Sequence, residues 1–67
     1  MGKNLAMKQA RSEKGLSQEA LAAAVGVSRQ TINAIEKGDY NPTIKLCINI
    51  CLALGVTLND LFWDDET

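Results

Sequence analysis

Five polar side chains stand close together in the run Ser28-Arg29-Gln30-Thr31-Ile32-Asn33, directly after a stretch of small residues. Arg29 and Gln30 open this run with a guanidinium and a carboxamide. In a DNA major groove a guanidinium matches guanine O6 and N7, and a carboxamide matches adenine N6 and N7. Thr31 is short enough to bond a phosphate or touch a thymine methyl, and Asn33, one helical turn further on, can reach another base or the backbone. Taken singly, each is an ordinary solvated residue. Placed together at the start of a capped helix, they suit an element that enters the groove N-terminus first.

Gln18 opens the preceding helix, where its amide and the free backbone N–H groups can reach a phosphate oxygen. Lys37, Tyr40 and Asn41 follow the reading helix in a loop that can flank the groove and contact phosphate; for Tyr40 partial packing is the alternative.

The elements that must position these groups are short helices. The first is expected over about Asn4 to Lys14, with Leu5, Met7 and Ala10 as apolar contacts and Gly15 as its left-handed stop. Ser17 caps a second helix that ends at Gly26, with Glu19 in its first turn and Ala20, Leu21, Ala24 and Val25 on its buried side. Small residues there let the next helix cross closely. Ser28 caps a third, Arg29 to Glu36, whose Ile32 and Ile35 face the core and leave Arg29, Gln30 and Asn33 pointing away from it. Asp39-Tyr40-Asn41-Pro42 is a loop, Thr43 caps a fourth helix to Leu54 with Gly55 as its stop, and Thr57 caps a last turn from Leu58 to about Trp63. The end, Asp64 to Thr67, is expected to fray.

Arg11 and Glu36 both lie beside apolar positions on helices that should pack together, so an ion pair between the first and third helices is expected. The fourth helix carries more apolar surface than one face can use. Ile44, Cys47, Ile50, Cys51 and Leu54 form a stripe, and Leu46, Ile48 and Leu52 widen it beyond the usual core-facing arc. With Phe62 and Trp63 following, the economical expectation is a self-complementary patch of Ile48, Leu52, Phe62 and Trp63 that closes a two-fold homodimer. Packing of these residues under the termini is the alternative, for Trp63 in particular.

Sixty-seven residues make one small domain, near the lower limit for a core that offsets chain entropy without help. The net charge of −1 is unevenly laid out: through Lys45 there are seven basic residues and four acidic ones, and beyond it only Asp60, Asp64, Asp65 and Glu66 carry charge. One electropositive face can therefore meet phosphates while the acidic end points elsewhere. No histidine is present, and the two cysteines, Cys47 and Cys51, sit in an apolar run, as small core residues of a reducing compartment do. Neither a metal nor a cofactor is expected, and no nucleophile–base pairing points to an enzyme. No apolar stretch reaches the length of a membrane span and the Met-Gly-Lys-Asn start lacks a signal region, so a cytoplasmic protein without membrane or small-molecule partner is expected.

The motifs Leu-Ser-Gln-Glu-Ala-Leu-Ala, Val-Gly-Val-Ser-Arg-Gln-Thr-Ile, Ile-Glu-Lys-Gly, Tyr-Asn-Pro-Thr and Leu-Gly-Val-Thr-Leu-Asn-Asp-Leu-Phe resemble, in order and spacing, the Cro/C1-type (Xre-family) helix-turn-helix regulators. The resemblance covers about Met7 to Phe62 and is strongest to the short stand-alone repressors of bacteria and phages. It implies an all-α, five-helix, lambda-repressor-like domain that binds palindromic operator DNA as a homodimer, with helices two and three as the helix-turn-helix. It also implies base contacts at Ser28, Arg29, Gln30 and Asn33, phosphate contacts at Gln18, Thr31, Lys37 and Asn41, and a structural pair at Arg11 and Glu36. A different class, an antitoxin-like protein-interaction module that binds its promoter secondarily, would need an exposed partner surface beyond the dimer patch.

Overall fold

Each helix starts at a residue whose side chain accepts a hydrogen bond that a helix start leaves open. The computed structural model describes residues 4–62, and these form five helices and no strand: α1 (Leu5–Glu13), α2 (Gln18–Val25), α3 (Arg29–Lys37), α4 (Ile44–Leu54) and α5 (Leu58–Leu61). Asn4 caps α1, Ser17 caps α2, Ser28 caps α3, Thr43 caps α4 and Thr57 caps α5. In α5, Asp60 returns a bond to the Thr57 backbone N–H at 3.0 Å and completes a capping box. Trp63, Asp64, Asp65 and Glu66 lie outside the described residues.

Helix stops are as economical as the starts. The turn between α2 and α3 passes through Gly26 at φ +79°, a left-handed conformation that costs a residue with a Cβ about 1–2 kcal/mol. From there the Val27 N–H donates back to the Ala22 carbonyl at 3.0 Å, so two residues suffice to reverse the chain before Ser28.

Helices α2 and α3 pack on each other, α2 and α5 flank α4, and α1 rests on α3 and α5. The core between them is Met7, Leu21, Ala22, Ile32, Ile35, Ile50, Cys51, Leu54 and Leu61, with Met7, Leu21, Ile32 and Ile50 fully buried. Asn4 ties the layers together: its backbone N–H donates to the Glu36 carbonyl at 2.9 Å and its side-chain amide to the Leu61 carbonyl at 2.9 Å.

Three expectations from apolar spacing are corrected. On α2 the inward row is Gln18, Leu21, Ala22 and Val25, whereas Ala20 and Ala24 are exposed. Alanines at positions 20, 22, 23 and 24 give almost no hydropathy contrast, so the helix rotation is set by Leu21 and by the polar tie of Gln18. On α1, Leu5 is 64% exposed, because the core row runs through Met7 and Ala10 and Leu5 falls on another face. On α4, Ile44 is 60% exposed, because the buried arc centres on Cys47, Ile50, Cys51 and Leu54 and leaves the first residue at its rim. Ile44 instead heads an outward row with Ile48 and Leu52, spaced by four.

Candidate nucleic-acid interface

The N-terminal end of α3 is free of the core. Arg29 and Gln30 are exposed and their side chains make no hydrogen bond among the described residues, while Ile32 and Ile35 behind them are buried. Their side chains are thus held at a fixed place by the helix yet left unspent. Ser28 and Thr31 are committed to the cap: the Ser28 hydroxyl accepts from the Thr31 N–H at 3.1 Å and lies 3.0 Å from the Thr31 hydroxyl. Lys37, Tyr40 and Asn41 are exposed at the far end of α3 and in the loop beyond, with Tyr40 at 45%.

Behind this row lies a polar node. Arg11 donates from Nε to Oε2 of Glu36 at 2.7 Å, from Nη2 to Oε1 at 3.3 Å, and from Nη1 to the Leu16 carbonyl at 2.8 Å. Gln18 donates from Nε2 to Glu36 Oε1 at 3.0 Å and to Asn33 Oδ1 at 3.1 Å. Glu36 is buried, yet every oxygen has a donor, and no buried side-chain polar atom among the described residues is left without a partner. One carboxylate thereby fixes α1, α2 and α3 relative to one another.

The node also redirects Gln18. Both hydrogens of its amide are spent inside the fold, and the side chain turns inward to Asn33 and Glu36. The tie depends on the rotation of α2, which the alanine-rich sequence conceals. A cleft of about 180 Å3 opens beside it, lined by Leu5, Lys8, Gln18, Asn33, Glu36 and Lys37. Lys8 was not singled out from the sequence, although it stands one turn before Arg11 on the side of α1 that faces α3; it puts a second cation beside Lys37 at the cleft.

On α4, Ile48 is 41% and Leu52 is 74% exposed, and Phe62 is half-buried against the core. Trp63 lies outside the described residues. The thiols of Cys47 and Cys51 are buried and free, and burial pushes their pKa values up; Cys47 and Asp60 push Cys51 further in the same direction. Among the described residues no group of side chains is arranged to hold a metal ion, and no helix is long and apolar enough to cross a membrane.

A helix-turn-helix family model matches residues 7–61, from the buried methionine of α1 to the buried leucine of α5. The chain belongs to the Cro/C1-type helix-turn-helix family. The uncharacterized HTH-type transcriptional regulator YgzD of Bacillus subtilis is 48% identical over 60 residues, which is 90% of this chain and 91% of that one. Among solved structures, the restriction-modification controller protein C.AhdI of Aeromonas hydrophila superposes with a TM-score of 0.82 at 30% identity, covering 88% of this chain and 89% of that one. The N-terminal DNA-binding domain of SinR from Bacillus subtilis gives a TM-score of 0.81 at 29% identity over 96% of this chain and 94% of that domain. The all-α architecture is therefore the lambda-repressor-like fold, α2 and α3 are the helix-turn-helix, and this helix-turn-helix regulator acts on transcription through DNA.

Proposed function

We propose that this regulator is a repressor that binds a palindromic operator as a homodimer, with α3 in the major groove. The observation that carries the reading is the pair Arg29 and Gln30, exposed and unspent at the start of a helix whose other face is locked into the core. Arg29 and Gln30 read base edges, Asn33 reads a further base, and Ser28 at the cap approaches the groove floor. Lys37, Tyr40, Asn41 and Thr31 hold the flanking backbone. At Gln18, whose amide hydrogens face inward, the phosphate is met by backbone N–H groups in the first turn of α2.

The outward row Ile44, Ile48 and Leu52 supports the dimer, and the half-buried Phe62 at the end of α5 is its neighbour in the expected patch. Two such rows packed across a two-fold axis would bury the exposed apolar surface of α4 and set two copies of α3 facing the same side of the duplex. Such a dimer reads half-sites about one helical turn apart. The protein works in the cytoplasm, where DNA is its partner.

Selection of bound sequences from a random DNA pool, with wild type and Arg29→Ala in parallel, tests the reading. A palindrome for wild type, blurred at one position per half-site in the variant, supports it. Absence of enrichment by wild type, with a monomer in solution, would shift the weight to an antitoxin-like interaction module whose partner covers α4.

A further inference from the structure

We propose that Gln18 is a positioning residue that makes Asn33 a donor-only reader, so that the base facing Asn33 is guanine rather than adenine. The inference rests on the DNA-binding reading above and adds the polarity of one contact to it.

The polarity begins at the ion pair. Arg11 grips both oxygens of Glu36, and a carboxylate so held can only accept further bonds. The Gln18 amide must therefore turn its nitrogen, not its oxygen, toward Glu36 Oε1, 3.0 Å away. That nitrogen has one hydrogen left, and Asn33 Oδ1 lies 3.1 Å from it. Asn33 thus keeps its oxygen inward. Its Nδ2 makes no hydrogen bond among the described residues, and the residue is half-exposed at the mouth of the cleft that Lys8 and Lys37 also line. A fixed sequence of cation, carboxylate, donor and acceptor leads from Arg11 on α1 through Glu36 on α3 and Gln18 on α2 to the unspent NH2 group of Asn33.

An asparagine free to orient pairs with adenine by donating to N7 and accepting from the 6-amino group. With its oxygen engaged by Gln18, Asn33 offers hydrogens. Guanine presents two adjacent acceptors, O6 and N7, to such a group, whereas adenine presents N7 alone and sets its own amino hydrogens beside it. The inward tie accordingly selects between the two purines without touching either.

The test uses the full chain. Selection from a random pool by wild type and Asn33→Ala locates the position read, and affinities are then measured for sites carrying guanine or adenine there, with wild type and Gln18→Ala. Wild type is expected to prefer guanine by roughly tenfold, the lower end of one good base contact. Gln18→Ala is expected to bring the ratio to within about threefold, since the released amide can then pair with adenine as well. A purely structural Gln18 would weaken both sites alike and leave the ratio unchanged, which overturns the proposal. So does selection of adenine by wild type with binding lost when its 6-amino group is removed, or an Asn33→Ala variant that blurs no position. Should Gln18→Ala fail to fold, the wild-type ratio decides. Failure of wild type to enrich any sequence removes the DNA reading and this inference together, whereas an enriched site with adenine removes the inference alone.

Discussion

Arg11 Nε and Glu36 Oε2 meet at 2.7 Å across 25 residues of chain, with only 11% and 5% of the two side chains exposed. The pair joins the last turn of α1 to the last turn of α3 and sits beneath the proposed reading face. Removing either partner strands the other, largely buried charge without its counter-ion, so Arg11→Ala or Glu36→Ala is expected to cost about 3–5 kcal/mol. The double variant should fall short of the sum of the single losses by about 1–3 kcal/mol. Urea unfolding of the three variants measures the coupling, and a value near zero would show that the two side chains act independently.

The Arg29 side chain makes no hydrogen bond among the described residues, so Arg29→Ala should change folding stability by less than about 0.5 kcal/mol. Its expected cost falls on specific DNA, about 1–3 kcal/mol at one base position of each half-site. Titrations on operator and on random duplex separate the two effects. Equal losses on both would assign Arg29 to phosphate.

Lys37 is exposed at the end of α3 and borders the cleft that Lys8 also lines. Lys37→Ala should weaken binding to all sequences alike and lower the slope of log affinity against log salt by about 1. A loss confined to the operator would instead mean that Lys37 reads a base.

Leu52, 74% exposed, and Ile48, 41% exposed, stand on the outward row of α4. Leu52→Lys should weaken self-association by about tenfold or more, as expected of a residue worth over 1 kcal/mol at an interface, while the monomer's stability stays within about 0.5 kcal/mol. Sedimentation over a concentration series gives the equilibrium. An unchanged dimer would place the contact elsewhere.

The raised thiol pKa values of Cys47 and Cys51 mean that the folded protein holds these protons more tightly than the unfolded chain does. Their contribution to stability is therefore whole below the unfolded thiol pKa of about 8.5 and declines as pH climbs through and past it. Thermal unfolding midpoints between pH 7 and 9.5 should fall for wild type and fall less for a protein carrying Cys47→Ala and Cys51→Ala. Parallel curves for the two proteins would show that the thiols do not drive the decline.

Helix starts and stops were legible from local chemistry. Ser17, Ser28, Thr43 and Thr57 cap where a hydroxyl precedes an apolar period, and the left-handed Gly26 and Gly55 end their helices. Ile32 and Ile35 likewise identified the inner side of α3, and with it the outward place of Arg29 and Gln30. The rotation of α2 was not legible, because alanine is nearly neutral in hydropathy and four of them occupy the helix. The link from Gln18 to Asn33 depends on that rotation, so it was hidden with it. Ile44 and Leu5 show the same limit: apolar type says that a residue can be buried, and only the packing of neighbouring helices says whether it is.

The proposed reading face thus has two kinds of position. Asn33 is wired into the node that holds three helices together, whereas Arg29 and Gln30 are tied to nothing else in the fold. A duplicated gene could exchange the two outer residues and acquire a new operator without passing through an unfolded intermediate. Change at Asn33 would require Gln18 to change with it. Paralogues descended from such a chain should therefore diverge first at the half-site positions read by the outer pair, and last at the one read from the node.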